Sequence, residues 1–266
     1  MNVLHTLVVT IVLLLLSVST LTLVLGDQDT KKMIGVVDFA DSKSHLISSI
    51  FSNFFFPGDV VKLHGYVLDT NDWYKPLFAY ANVMVRGPDG LVVFKKDNIS
   101  TDKNNEFYID VPIPNDSKIG KYVVTIEPVK EGYEKLANQY LAAFYVMRKN
   151  DFAVYYNNTS YPVTVSSIQF QSSYMKYNQT SHALTFDIQN VPGNYTSDID
   201  LGYPDRQVWV LMKKPLAFGG FQEISDTYDM NGWPFWQQNA TYSMVQLSVP
   251  NASEKIVTTL VGAGQP

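Results

Sequence analysis

Eight asparagines stand first in the triplet Asn-x-Ser/Thr: Asn98, Asn115, Asn157, Asn158, Asn178, Asn194, Asn239 and Asn251, none followed by Pro. The chain holds 18 Asn and 37 Ser or Thr in 266 residues, so chance placement gives about three such triplets. Eight point to amide glycosylation on surface loops, a modification of the secretory and extracytoplasmic space. Other chemistry is sparsely signalled. The four histidines, His5, His45, His64 and His182, form no His-x-x-x-His pair, and His64 and His182 fall in predicted strands as structural residues. The absence of Cys removes thiolate nucleophiles, disulfides and the thiolate ligand of a blue-copper site. No Gly-x-Ser-x-Gly, phosphate-binding loop or dinucleotide fingerprint is present. No catalytic, cofactor-binding or metal-binding residue is assigned, and the chain reads as a non-enzyme. Asp198, Asp200 and Asp205, and Asp226 and Asp229, cluster without EF-hand spacing and read as solvated turn residues.

Residues 228–236, YDMNGWPFW, are the most unusual stretch. Asn231-Gly232 and Pro234 demand a turn, and Trp233, Phe235 and Trp236 sit at or near it. Such aromatics anchor a partner or stack on sugars when they project, and cap the core when they fold back. They are the binding-loop candidates.

Positioning starts with residues 3–25, which contain no Lys, Arg, Asp or Glu. As a helix the run is about 35 Å long, against about 30 Å of hydrocarbon in a bilayer. Residues 1–26 are therefore either a signal peptide cleaved after Gly26 or an uncleaved transmembrane anchor. Lys31 and Lys32 follow the run and none precedes it, which by charge alone keeps the C-terminal side in the cytoplasm. The triplets argue for the outside, and that reading is preferred. The expected partners are the membrane, through residues 3–25, and other surface or membrane proteins or glycans. A net charge of −5 with no basic patch excludes nucleic acid as an expected partner.

Only 17% of residues are charged, and Tyr and Phe are abundant. That mix favours strands. Residues 27–56 read as a juxtamembrane segment with a first strand at 33–40 and a short amphipathic helix at 41–55. Between 57 and 149, strands are expected at 59–68, 78–87, 90–96, 106–113, 121–128 and 140–147. Ala79, Ala81, Val83 and Val85 share one face, and Pro88-Asp89-Gly90 makes a turn. Lys149-Asn150-Asp151 reads as a polar joint, and 150–266 as a second β domain with strands at 163–170, 182–189, 207–212, 241–249 and 254–262.

The succession PGDVVKLHGYV, ANVMVRGPDGLVVFKK, TDKNNEFYIDVPIP and GKYVVTIEP resembles the Ig-like modules of prokaryotic surface proteins over residues 54–147. Asn105-Glu106 departs from it where Gly usually precedes Phe, and the insert before Pro57 displaces the usual first strand. The C-terminal half is similar to the last domains of secreted archaeal surface proteins, with Asn251-Ala252 where His-Ser is common. The resemblance implies an all-β fold of two tandem Ig-like antiparallel β-sandwiches after the N-terminal segment, serving as spacer or adhesive units. The expected role is that of a membrane-tethered extracellular glycoprotein with a structural, adhesive or interaction role. The alternatives are an accessory extracytoplasmic subunit of a membrane complex and a secreted carbohydrate-active enzyme.

Overall fold

The computed structural model describes residues 31–39, 54–135, 141–192, 207–213, 216, 220–225, 235–238, 242–249 and 256–263. The chain divides into two units, Met1–Lys31 and Lys32–Pro266. All regular structure among the described residues is β, and no helix there is long and apolar enough to cross a membrane. The expected membrane helix of residues 3–25 lies outside the described residues.

The first strands are β1 (Lys32–Asp38), β2 (Phe54–Phe55), β3 (Val60–Asp69), β4 (Tyr80–Arg86), β5 (Val92–Ser100), β6 (Glu106–Pro112), β7 (Gly120–Val129), β8 (Glu134–Lys135) and β9 (Leu141–Val146). They form two sheets, β6-β3-β1-β8 and β2-β9-β7-β4-β5. Pairing is antiparallel except for the short parallel contacts β1–β8 and β2–β9. Alternation drives the packing. Ala79, Ala81, Val83 and Val85 are all buried, as their period-two spacing requires. They meet Val61, Leu63 and Val67 of β3, Phe107 and Ile109 of β6, and Val124 and Ile126 of β7 in one core between the sheets. Each large apolar side chain buried there contributes about 1.5–3 kcal/mol. Gly65 makes the fit possible: a Cβ on it would lie 2.0 Å from the Phe107 ring of its cross-strand partner.

The later strands are β10 (Arg148–Tyr156), β11 (Thr159–Ser167), β12 (Phe170–Gln171), β13 (Met175–Asn178), β14 (Ala183–Asn190), β15 (Gln207–Lys213), β16 (Gly220–Ser225), β17 (Phe235–Gln238), β18 (Tyr242–Ser248) and β19 (Ile256–Ala263). Their sheets are β10-β11-β15-β18-β17 and β12-β14-β19-β16, with β13 also on β14. A second core holds Val163, Val165, Phe186, Val208, Val210 and Leu247. A third cluster joins the two halves: Phe54, Phe56, Tyr145 and Met147 from the first, Ile168, Trp209 and Met244 from the second. Trp209 is fully buried, its ring 4.8 Å from that of Phe54.

Three expectations change. Of the helix expected at 41–55, the described residues Phe54 and Phe55 are a strand on Tyr145 and Val146, where their rings join the core and the joining cluster; the rest lies outside the described residues. Lys149-Asn150-Asp151 is not a linker but the start of β10, paired with Ser166, Val165 and Thr164, so only Met147 separates β9 from β10. His182 precedes β14 with φ +50° instead of lying in the strand.

Candidate functional site

The connection from β3 to β4 is held by side chains from several other parts of the first half. Its sequence, TNDWYKPLFA, cannot continue a strand: the Asp69 and Asp72 side chains bond backbone N–H groups two residues on, and Pro76 lacks a donor. The Asp69 carboxylate accepts the Asn71 N–H at 2.9 Å, and Asp72 accepts that of Tyr74 at 3.2 Å. Asn105 reaches across from the β5–β6 connection. Its Oδ1 accepts the Leu77 N–H at 2.6 Å and its Nδ2 donates to the Lys75 carbonyl at 2.7 Å. Thr101 Oγ1 accepts the Ala79 N–H at 3.0 Å, and the Lys130 ammonium donates to the Leu77 carbonyl. The Tyr133 hydroxyl donates to Asp69 Oδ2 at 3.2 Å and accepts from Lys75 Nζ at 3.2 Å.

Asp69, Thr101 and Asn105 are the buried polar residues described in the first half, and the side chains of all three bond to this loop. Burial alone would raise the Asp69 carboxyl, but the Asn71 N–H, the Tyr133 hydroxyl and the Lys75 ammonium outweigh it and hold it below its ordinary value. Leu77 and Ala79 are plugged into the core. Between them Phe78 takes φ +49°, a left-handed conformation that costs a bulky residue about 1–2 kcal/mol. The outcome is display: Tyr74 is 73% and Phe78 65% exposed, with Trp73 half-buried beside them. A preformed loop loses little entropy on contact, so the arrangement suits binding through aromatic side chains.

The sequence carried a signal for this site. Asn71-Asp72 and Pro76 around Trp73, Tyr74 and Phe78 repeat the pattern that drew attention to Asn231-Gly232 and Pro234. At that second stretch, Phe235 and Trp236 belong to β17, paired with Gln246 and Val245. Trp233 lies outside the described residues.

Asn98, Asn115, Asn157, Asn158 and Asn178 are all exposed. Asn157 and Asn158 have φ +46° and +60° and close the β10–β11 hairpin between the pair Tyr156–Thr159, a type I′ turn. Asn98 has φ +56° beside the register shift between Ala81 and Val83. Asn115 sits in the β6–β7 connection, and Asn178 Oδ1 accepts the Thr180 N–H at 2.9 Å. Asn194, Asn239 and Asn251 lie outside the described residues, as do Asp198, Asp200, Asp205, Asp226, Asp229, His5 and His45.

His64 lies on the outer face of β3. Its Nε2 is 3.3 Å from Glu106 Oε2, its Nδ1 is 3.2 Å from the Tyr66 hydroxyl, and its ring stacks on Tyr108 at 4.3 Å. Burial, helped by the nearby Glu106 charge, raises the Tyr66 phenol and keeps it protonated. The group therefore works as a cross-strand ladder that ties β3 to β6. Asp187 is fully buried and accepts the N–H groups of Ser173 and Tyr174 at 2.8 and 2.7 Å, which fixes the turn before β13. Among the described residues no three His, Cys, Asp or Glu stand close enough to hold a metal.

No family model matches the chain, and no curated protein matches it. Among solved structures, it overlaps trypsin-activated alpha-2-macroglobulin from Escherichia coli at a TM-score of 0.30 and 11% identity, over 89% of this chain and 24% of that one. Salmonella alpha-2-macroglobulin reacted with methylamine gives 0.29 and 10%, over 85% and 21%. The chain thus spans less than a quarter of the length of these proteins, and overlap at that level assigns neither family nor function.

Proposed function

We propose that this chain is a membrane-tethered extracytoplasmic glycoprotein, built of two tandem Ig-like β-sandwiches that meet at Met147, with a structural, adhesive or protein-interaction role at the cell surface. The observation that carries the reading is the exposure of all five described sequon asparagines. The uncharged run 3–25 supplies the tether, and the likeness to archaeal surface modules supports the sandwich and location assignments. Protease added to intact cells tests it. Degradation of residues 27–266 is expected, and full protection until the cells are lysed would reject the external location.

A second reading is an accessory outer-face subunit of a membrane complex. It is favoured by the pinned loop 70–79, which displays Tyr74 and Phe78 as exposed aromatic side chains for a protein partner.

A further inference from the structure

We propose that a glycan carried by Asn157, and not by Asn158, lays its first sugar against the ring of Tyr156 and so becomes part of the fold at the β10–β11 turn; this rests on the glycosylated exterior proposed above. The turn itself brings the necessary groups together. Tyr156-Asn157-Asn158-Thr159 is a two-residue hairpin turn, with both asparagines at positive φ and Tyr156 directly opposite Thr159. Residues opposite one another stand on one face, their Cβ atoms about 5 Å apart. Thr159 is the hydroxyl residue of the Asn157 triplet, and Asn157 follows Tyr156 directly. Ring, acceptor amide and hydroxyl of one triplet are thus neighbours. The Asn158 triplet ends instead at Ser160, which pairs with Tyr155 on the opposite face. Backbone conformation accounts for Asn at both corners of the turn, but it sets no requirement for Thr after them.

The ring is held in place beforehand. Tyr156 is half-buried against the second core, while Thr159 opposite it is exposed, so this face opens to solvent at the level of the turn. Tyr156 meets Tyr177 edge to face, with ring centroids 6.2 Å apart, and its centroid lies 6.4 Å from that of His182. Gln179 clamps the turn from the β13–β14 connection. Its Oε1 accepts the Asn157 N–H and its Nε2 donates to the Tyr155 carbonyl, both at 3.3 Å. A ring fixed in this way loses little entropy when it is covered. The C–H face of a sugar is apolar, and the negative face of an aromatic ring attracts such hydrogens. A sugar laid there takes further ring area out of water at the mouth of the core.

The test is a two-way cycle in the full chain purified with its native sugars. Tyr156→Leu is made with the triplets intact and again in Thr159→Ala/Ser160→Ala, which keeps both asparagines but removes both acceptor triplets. With a sugar face valued like a second aromatic ring, Tyr156→Leu should raise the unfolding constant roughly two- to tenfold more in the chain that carries the sugar. Tyr155→Leu, exposed on the other face, should show no such difference. Electron-transfer fragmentation of the glycopeptide should place the sugar on Asn157. In the wild-type chain the ring protons of that first sugar should shift upfield on folding, a readout that needs no variant to fold. Equal costs of Tyr156→Leu in both backgrounds, unshifted sugar protons, or sugar on Asn158 overturn the stacking and leave the glycosylated exterior standing. Sugar on Asn98, Asn115 or Asn178 with none in the turn does the same. Bare asparagine at all five described triplets overturns both.

Discussion

Replacing Asn105 should loosen the displayed loop by an amount that can be worked out. Asn105 is 1% exposed and has φ +67°. Removing its amide strips the buried Leu77 N–H of its partner, at about 1–3 kcal/mol, and leaves the part-buried Lys75 carbonyl to water. Alanine adds the left-handed penalty, about 1 kcal/mol beyond Asn, whereas glycine adds none. Asn105→Ala should therefore lose about 2–4 kcal/mol and Asn105→Gly about 1 kcal/mol less. Urea melts followed by far-ultraviolet circular dichroism measure both, with an unchanged slope confirming that the change lies in stability. Equal losses for Ala and Gly would refute the role of the backbone conformation. Losses below about 0.5 kcal/mol for both would refute the hydrogen bonds as the pins.

The remaining predictions bear on the same frame. Gly65→Ala drives a methyl into the Phe107 ring and should cost about 1–3 kcal/mol, part of which a second change, Phe107→Leu, recovers in the same melts. Trp209→Ala should cost about 3–5 kcal/mol, and a fragment beginning at Arg148 should associate in sedimentation because it bares Ile168, Trp209 and Met244; a soluble monomer would show the joint to be dispensable. The Asp69 carboxyl is held below its ordinary value of 3.8, so its contribution to stability is present above that pH and is lost as pH falls through the lower folded value. Asp69→Asn should flatten the acid limb of a stability–pH profile, and an unchanged limb would argue against the network.

Strand positions were largely legible because one-sided burial imposes period two, as along β4, where Ala81, Val83 and Val85 are fully buried. β10 was hidden by its own polarity: Lys149-Asn150-Asp151 looks like a linker, yet the alternation of exposed and half-buried residues fits a half-solvated strand. The departure at Asn105 has a physical reason visible only in the backbone. The position needs a positive φ, which Asn tolerates, and unlike Gly it also supplies an acceptor and a donor to the neighbouring loop. The aromatic loop at 70–79 was missed because composition cannot distinguish rings that project from rings that pack. That difference is made by Leu77 and Ala79 entering the core on either side of Phe78.

The central claim is a glycosylated exterior, and site-resolved mass spectrometry of tryptic glycopeptides from the native protein tests it most directly. Sugar is expected on Asn98, Asn115 and Asn178, and on only one of Asn157 and Asn158 in any molecule, because adjacent positions of a two-residue turn cannot both carry a bulky glycan. Unmodified asparagine at all five exposed sites would contradict the account.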